Sequence, residues 1–291
     1  MDQLNGDIDS VNHVGIVAHD LAAASRLYER MGFTLSALSV HSGSTKPGEP
    51  PQPMASANRC AIFNDNYMEL LGIVNPGKMD WGCERFLEKF QGAHVICFGC
   101  GDAAVVDTRL AAANVHTSGV IALQREVETP DGTATAKFDC VHFDRTNEGL
   151  IQAAHHRTPE LIHQPRYRTH ANGARALTEV VIWSSDPRVT ADAYAQLTGC
   201  EAAGGEGTPE IALPNGNRLV FVDTKALKSR FPSSLFPPPP AIVAVGFQVS
   251  SLDTTERILR DAGFRVQCHA QRLFVSAEEA LGVVHYFSEV P

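Results

Sequence analysis

The chain has 291 residues, 44% of them apolar and 20% charged, with a formal net charge of −9; it is long enough for one large domain or two ordinary ones, with a core that needs no disulfide. The acidic balance, without a run of five or more basic residues, argues against a nucleic-acid or acidic-membrane partner, and no apolar stretch reaches the roughly 18 residues of a membrane span. The opening MDQLNGDIDS is polar and acidic, unlike a signal peptide, and seven scattered cysteines fit free thiols in a reducing compartment, so a cytoplasmic location is expected.

In chain order, residues 13–33 read as a strand running into an amphipathic helix that stops at Gly32, a residue that tolerates the left-handed conformation of a helix end. The stretch 39–58, SVHSGSTKPGEPPQPMASAN, is rich in Gly, Pro and Ser and reads as a long loop, of the kind that often serves as a lid or binding loop. NYMELLGIV, residues 66–74, reads as a buried strand interrupted by Glu69. The strand–helix pattern then recurs from His94 to a turn at Asn114, from Glu179 to Gly199 and from Ala244 to Gly263, with start-to-turn distances of 19, 20, 20 and 19 residues counted from His13 onward. Each unit ends in strand-like segments, the later ones being GLIQAAHH, NRLVFVD and GVVHYFSEV. Cys97 and Cys100 form an isolated CxxC on a predicted strand, where positions three apart face opposite sides, so they read as two small buried apolar residues.

Four strand–helix–strands units imply an α+β fold in which units pair, because one unit alone leaves bare sheet edges. The polar, turn-rich segment 158–176 sets the boundary: residues 1–165 form an N-terminal domain from units one and two, and 176–291 a C-terminal domain from units three and four. Thr158 and Pro159 look like a helix start. RFPSSLFPPPPA, 230–241, reads as a stiff connector between units three and four.

A carboxylate in a buried strand is costly unless it is paired, protonated or bound to a cation. Pairing about a pseudo-two-fold axis would bring together His13, Glu69, His94 and Gln152, the last two being the unit-two positions matched to the first two. Two imidazoles, a carboxylate and an amide suit an open divalent site for Zn, Ni, Co, Mn or Fe(II). The alternative for Glu69 is a buried ion pair, for instance with Arg59.

These residues carry a resemblance. Four such units, with NHVGIVAHDL, SANRCAIF, YMELLG and HHRTPEL, resemble the glyoxalase-like members of the vicinal oxygen chelate superfamily, the superfamily of glyoxalase I, methylmalonyl-CoA epimerase, bleomycin-resistance proteins and extradiol dioxygenases. The resemblance covers essentially the whole chain and implies four βαβββ modules paired into two half-barrel domains. It also implies a metal in a cleft that chelates vicinal oxygens of a small-molecule substrate. Gln152 stands where glyoxalase I has a proton-transferring Glu, and an amide cannot be a general base. The corresponding C-terminal positions, Glu179, Ala244, Val220 and His285, offer too few ligands, so that half is expected to lack a metal site.

His156 shares strand parity with Gln152 and is a candidate base or substrate contact, against a turn histidine packed on the next helix. Asn58 and Arg59 are candidate substrate contacts; an arginine there could clamp a carboxylate or phosphate, or form a surface ion pair. The leading expectation is a metal-dependent lyase or isomerase, with Glu69 or His156 as base. An Fe(II) ring-cleaving dioxygenase and a metal-free ligand-sequestering protein are the alternatives. Monomer and homodimer are both compatible with four units in one chain.

Overall fold

Each of the four repeats folds as strand, helix and three strands in the computed structural model, which describes residues 7–144, 146–232 and 234–289. The first six residues of the polar opening lie outside them. Module one comprises β1 (Ile8–Val17), α1 (Leu21–Arg30), β2 (Ser39–Gly43), β3 (Gln52–Ile62) and β4 (Tyr67–Ile73). After α2 (Cys83–Lys89), module two follows as β5 (Gly92–Cys100), α3 (Ala103–Ala112), β6 (Ile121–Thr129), β7 (Gly132–His142) and β8 (Leu150–His156). A short α4 (Pro159–Ile162) precedes module three, made of β9 (Ala174–Trp183), α5 (Pro187–Thr198), β10 (Ala202–Ala203), β11 (Glu210–Ala212) and β12 (Arg218–Val222). Then α6 (Thr224–Arg230) leads to module four, β13 (Ala241–Val249), α7 (Leu252–Asp261), β14 (Gln267–His269), β15 (Arg272–Val275) and β16 (Val284–Glu289).

The four module helices start and stop by one device. Asp20, Asp102, Asp186 and Ser251 each cap a helix, accepting a hydrogen bond from a backbone N–H in its first turn. Gly32, Asn114, Gly199 and Gly263, the four turn residues, all lie at positive φ, between 56° and 87°. Thr158 precedes α4 without capping it; its hydroxyl accepts from Lys137 N instead.

Pairing of modules one and two goes further than an open sheet. The order β1-β4-β3-β2-β6-β7-β8-β5 is joined at both ends, because β1 also pairs antiparallel with β5. The N-terminal eight strands therefore form a closed ring, which leaves no bare edge. The β2–β6 junction, which sets His41 opposite Arg125, lies within the stretch read as a loop. That stretch is in fact strand at both ends, with only residues 44–51 between them, and Pro53 is tolerated near the start of its strand. Modules three and four join through β9–β13 and remain open at β10 and β14.

The module helices cover the outer faces, and one apolar core runs through both halves. Phe33 and Phe63 from module one meet Phe247 from module four, with ring centroids 5.3 and 5.9 Å apart. Each buried phenylalanine contributes about 1.5–3 kcal/mol. The inner faces of the strands carry separate apolar clusters, and these line the clefts. Cys97 lies among the inner cluster with Tyr67, whereas Cys100 belongs to the outer core, so the CxxC does face both ways, and both thiols are buried and free. Among the described residues no helix is long and apolar enough to cross a membrane.

Candidate active site

Strand register decides which side chains enter the cleft. In all four modules the first strand carries a β-bulge whose extra residue immediately precedes the inward position. The pairs are Asn12 before His13, His94 before Val95, Thr178 before Glu179 and Val243 before Ala244. A bulge re-aims the side chains around it. The register then sets His13 against Tyr67 and Gly15 against Glu69 in module one, and Val95 against Leu150 and Cys97 against Gln152 in module two. Val95, not His94, is therefore the counterpart of His13.

His94 is turned toward α2. Its ring stacks on Phe86 at 4.9 Å and 4°, and its Nε2–H donates to Phe90 O over 2.9 Å. It does not line the cleft that His13, Glu69, Gln152 and His156 share. The four-ligand set is thereby corrected to three of its members, with an isopropyl group in the fourth place.

The cleft is narrow and mostly apolar, with a cavity volume of about 60 Å³. Met54, Leu123, Phe138 and Trp81 are among its walls, and Glu69 lies at its polar end, 6% exposed. Asn58 Nδ2 donates to Glu69 Oε1. His13 Nε2 stands 3.5 Å from Glu69 Oε2, and His41 Nε2 stands 3.8 Å from Oε1. Burial holds the Glu69 carboxyl above its ordinary range, opposed by the Asn58 hydrogen bond and by Arg125. Burial likewise lowers His13 well below its usual value and His41 to about 3, so both imidazoles are neutral at pH 7.

The tautomer of His13 is set by its neighbour. Asn12 Oδ1 can only accept, and it lies 2.8 Å from His13 Nδ1, so that nitrogen carries the proton. The Nε2 lone pair then faces a carboxylate oxygen, and Tyr67 stacks on the ring at 4.5 Å to fix its plane. Two lone-pair donors facing each other repel unless a proton or a cation lies between them.

The remaining sequence candidates divide. Gln152 lines the cleft, and its Oε1 is buried without a hydrogen-bond partner among the described residues. His156 also lines it; both ring nitrogens are buried without partners, and burial lowers it to about 3. Asn58 supports Glu69 from behind and does not line the open space. Arg59 points away: its Nη1 pairs with Glu29 Oε1 at 2.8 Å and its Nε donates to Ser36 O. Neither a substrate contact nor an ion pair with Glu69 is available to it. His41 and Arg125, which line the cleft, are the residues that sequence reasoning missed.

A divalent ion fits part of this arrangement. Donor atoms 3.5 Å apart are spaced like two ligands of one ion with bonds of about 2.1 Å, and Gln152 Oε1 is an unmet acceptor in the same cleft. His13 and His41 approach different oxygens of Glu69, and no group of three or more His, Cys, Asp or Glu among the described residues is arranged to hold an ion by itself.

The equivalent C-terminal positions are Glu179, Val220, Ala244 and Tyr286; His285 is one residue out of register and packs in the outer core against Tyr28 and Phe247. Glu179, 2% exposed, accepts from Arg218 at 2.6 Å, from Arg230 and from the Tyr286 hydroxyl. Leu227 and Phe231, from α6 and its end, belong to one buried apolar cluster with Val220 and Ala244.

A family model described as a glyoxalase-like domain matches residues 11–198. The chain belongs to the glyoxalase-like domain family, within the vicinal oxygen chelate superfamily. No curated protein sequence matches it. Among solved structures, a hypothetical protein from Staphylococcus aureus is 12% identical with a TM-score of 0.63, covering 96% of this chain and 99% of its own. A mutant 4-hydroxymandelate synthase from Streptomyces coelicolor is 11% identical at a TM-score of 0.60, over 97% and 92% of the two chains. The Mn(II)-bound glyoxalase from Novosphingobium aromaticivorans is 13% identical at 0.58, over 97% and 82%. At these identities the likeness is one of fold.

Proposed function

We propose that the N-terminal cleft is the active site of a divalent-metal-dependent enzyme of lyase or isomerase type, which moves a proton beside a carbonyl of a small, oxygen-rich substrate. The observation that carries this reading is the lone pair of His13 Nε2 facing Glu69 Oε2 across 3.5 Å, an acceptor pair that calls for a proton or a cation and has the spacing of two ligands of one ion. His13, Glu69 and Gln152 would hold the ion. When bound, it supplies Lewis-acid polarisation of substrate oxygens.

The chain's own groups supply the rest. Asn12 keeps the His13 tautomer, and Asn58 fixes one Glu69 oxygen. The apolar walls keep water from a developing enolate-like charge, and Arg125 adds positive potential in the same cleft. His156 is neutral and unpartnered, so it can take the proton; an anionic substrate beside it raises its affinity for that proton toward working pH. The Mn(II)-bound glyoxalase among the fold relatives makes Mn(II) the first ion to test.

The test is deuterium wash-in from D2O at carbons adjacent to a carbonyl, followed by NMR over a panel of 2-oxo acids and hydroxyketones. The expected result is exchange that is absent after EDTA, restored by a divalent ion and lost in His13→Ala. Exchange with none of Mn(II), Zn(II), Ni(II) or Co(II) contradicts the proposal.

A further inference from the structure

Arg125, on β6, is the feature of the cleft that the reaction above leaves least explained. It is 5% exposed and lines the same cleft as Glu69. Among the described residues its only side-chain hydrogen bond is a long one, 4.0 Å from Nη2 to Cys60 Sγ, and its Cζ lies 5.9 Å from the centroid of the Phe138 ring. No carboxylate among the described residues lies within ion-pair distance of it. Among the described residues, the eleven arginines that do pair with a carboxylate are all at least 25% exposed in their side chains. The usual pattern is thus inverted: the most buried arginine among the described residues lacks a counter-ion. A buried guanidinium without a partner is destabilising unless something else supplies the anion.

Its placement says where that anion would sit. Arg125 is the register partner of His41 across the β2–β6 junction that closes the ring. His41 in turn reaches to 3.8 Å from Glu69 Oε1. Glu69, His41 and Arg125 therefore form a sequence across the cleft, with the guanidinium beyond ion-pair reach of Glu69. Phe138 and Leu123 flank it with apolar surface. A planar fork of N–H donors matches a carboxylate bidentately, and a single guanidinium between apolar walls suits one monoanion better than a dianionic phosphate.

We propose that Arg125 is a substrate-binding residue that engages a carboxylate of the substrate, distinct from the oxygens at the His13–Glu69 end. The substrate is accordingly a carboxylic acid whose acid group is separated from its reacting oxygens by a short apolar spacer. This rests on the cleft's being the active site, but not on the metal.

The experiment uses EDTA-treated protein, so that it succeeds or fails independently of metal binding. 3-Phenylpropionate, phenylpyruvate and 4-oxopentanoate are titrated calorimetrically, each against its methyl ester. At least one acid is expected to bind about tenfold or more tightly than its ester, with the preference lost in Arg125→Gln and partly kept in Arg125→Lys. Ligand-free Arg125→Gln is expected to be at least as thermostable as the wild type, since it removes an unpartnered buried charge. Acids and esters binding alike, or not at all, overturns the proposal, as does an Arg125→Gln variant that keeps the preference. A large loss of stability in both variants assigns Arg125 a structural role and overturns it too. Metal uptake without acid binding removes only this inference; acid binding without metal uptake removes only the metal.

Discussion

Glu69→Gln weakens divalent-ion binding by at least about a hundredfold, yet raises the stability of the metal-free protein by about 1 kcal/mol. The two effects have opposite signs because they come from different states. In the loaded state Glu69 is the one anionic donor of the proposed set, and losing it costs more than the 10–100-fold typical of an outer-shell partner. In the empty state it is a carboxylate at 6% exposure with no cation in contact, held above its ordinary pKa by burial. Near neutral pH that burial is a standing cost, since the unfolded chain ionises the group freely. A neutral amide of the same shape removes it and can still meet Asn58. Calorimetric titration with Mn(II) and denaturant unfolding in EDTA read the two effects. A variant that loses stability in EDTA while binding metal normally makes Glu69 a structural residue.

Acid destabilises this protein through its buried histidines, before its exposed carboxylates titrate. Burial lowers His41 and His156 to about 3, and His142 and His285 to about 4. Each is neutral in the fold and has an ordinary value near 6.5 when unfolded. Below that value the unfolded chain takes up protons that the folded chain refuses, so stability is complete above pH 6.5 and falls as pH drops toward 4. The slope is about 1.4 kcal/mol per pH unit for each histidine. His285 gives the cleanest case, because it lies fully buried outside the cleft, with Nδ1 donating to Val283 O. Alone it accounts for about 3 kcal/mol between pH 6.5 and 4. Urea unfolding across pH 4–7.5 measures the slope, and His285→Leu flattens it by about one proton. A stability that stays level down to pH 4.5 contradicts the burial of these imidazoles in neutral form.

The repeat was legible because its markers are local. Strand and helix periodicity need no tertiary information, and the four turn residues announce themselves by type, as their positive φ angles bear out. What local pattern could not supply was register at one-residue precision. A slip of one residue exchanges the two faces of a strand, and it misplaced both His94 and His285. The start-to-turn count does not resolve it: starting from Val95 would turn the 20 residues of unit two into 19, but Glu179, correctly placed, also stands 20 residues before its turn at Gly199. The bulge before each inward position explains the ambiguity, since it offers two adjacent candidates, Asn12 or His13, His94 or Val95.

His41 and Arg125 were missed for another reason. Their strands meet only when the ring closes between β2 and β6, a pairing of distant segments that neither sequence announces. The surrounding Gly, Pro and Ser masked β2 as loop. Arg59 shows the converse: beside Asn58 on β3, it shares none of its environment, because neighbours on a strand point to opposite faces.

Anomalous diffraction from crystals of the EDTA-stripped protein soaked in Mn(II) tests the central claim most directly. The account predicts one strong peak in the N-terminal cleft, between His13 Nε2 and the Glu69 carboxylate and within reach of Gln152 Oε1. A cleft without a peak, or a peak bound by neither His13 nor Glu69, contradicts it.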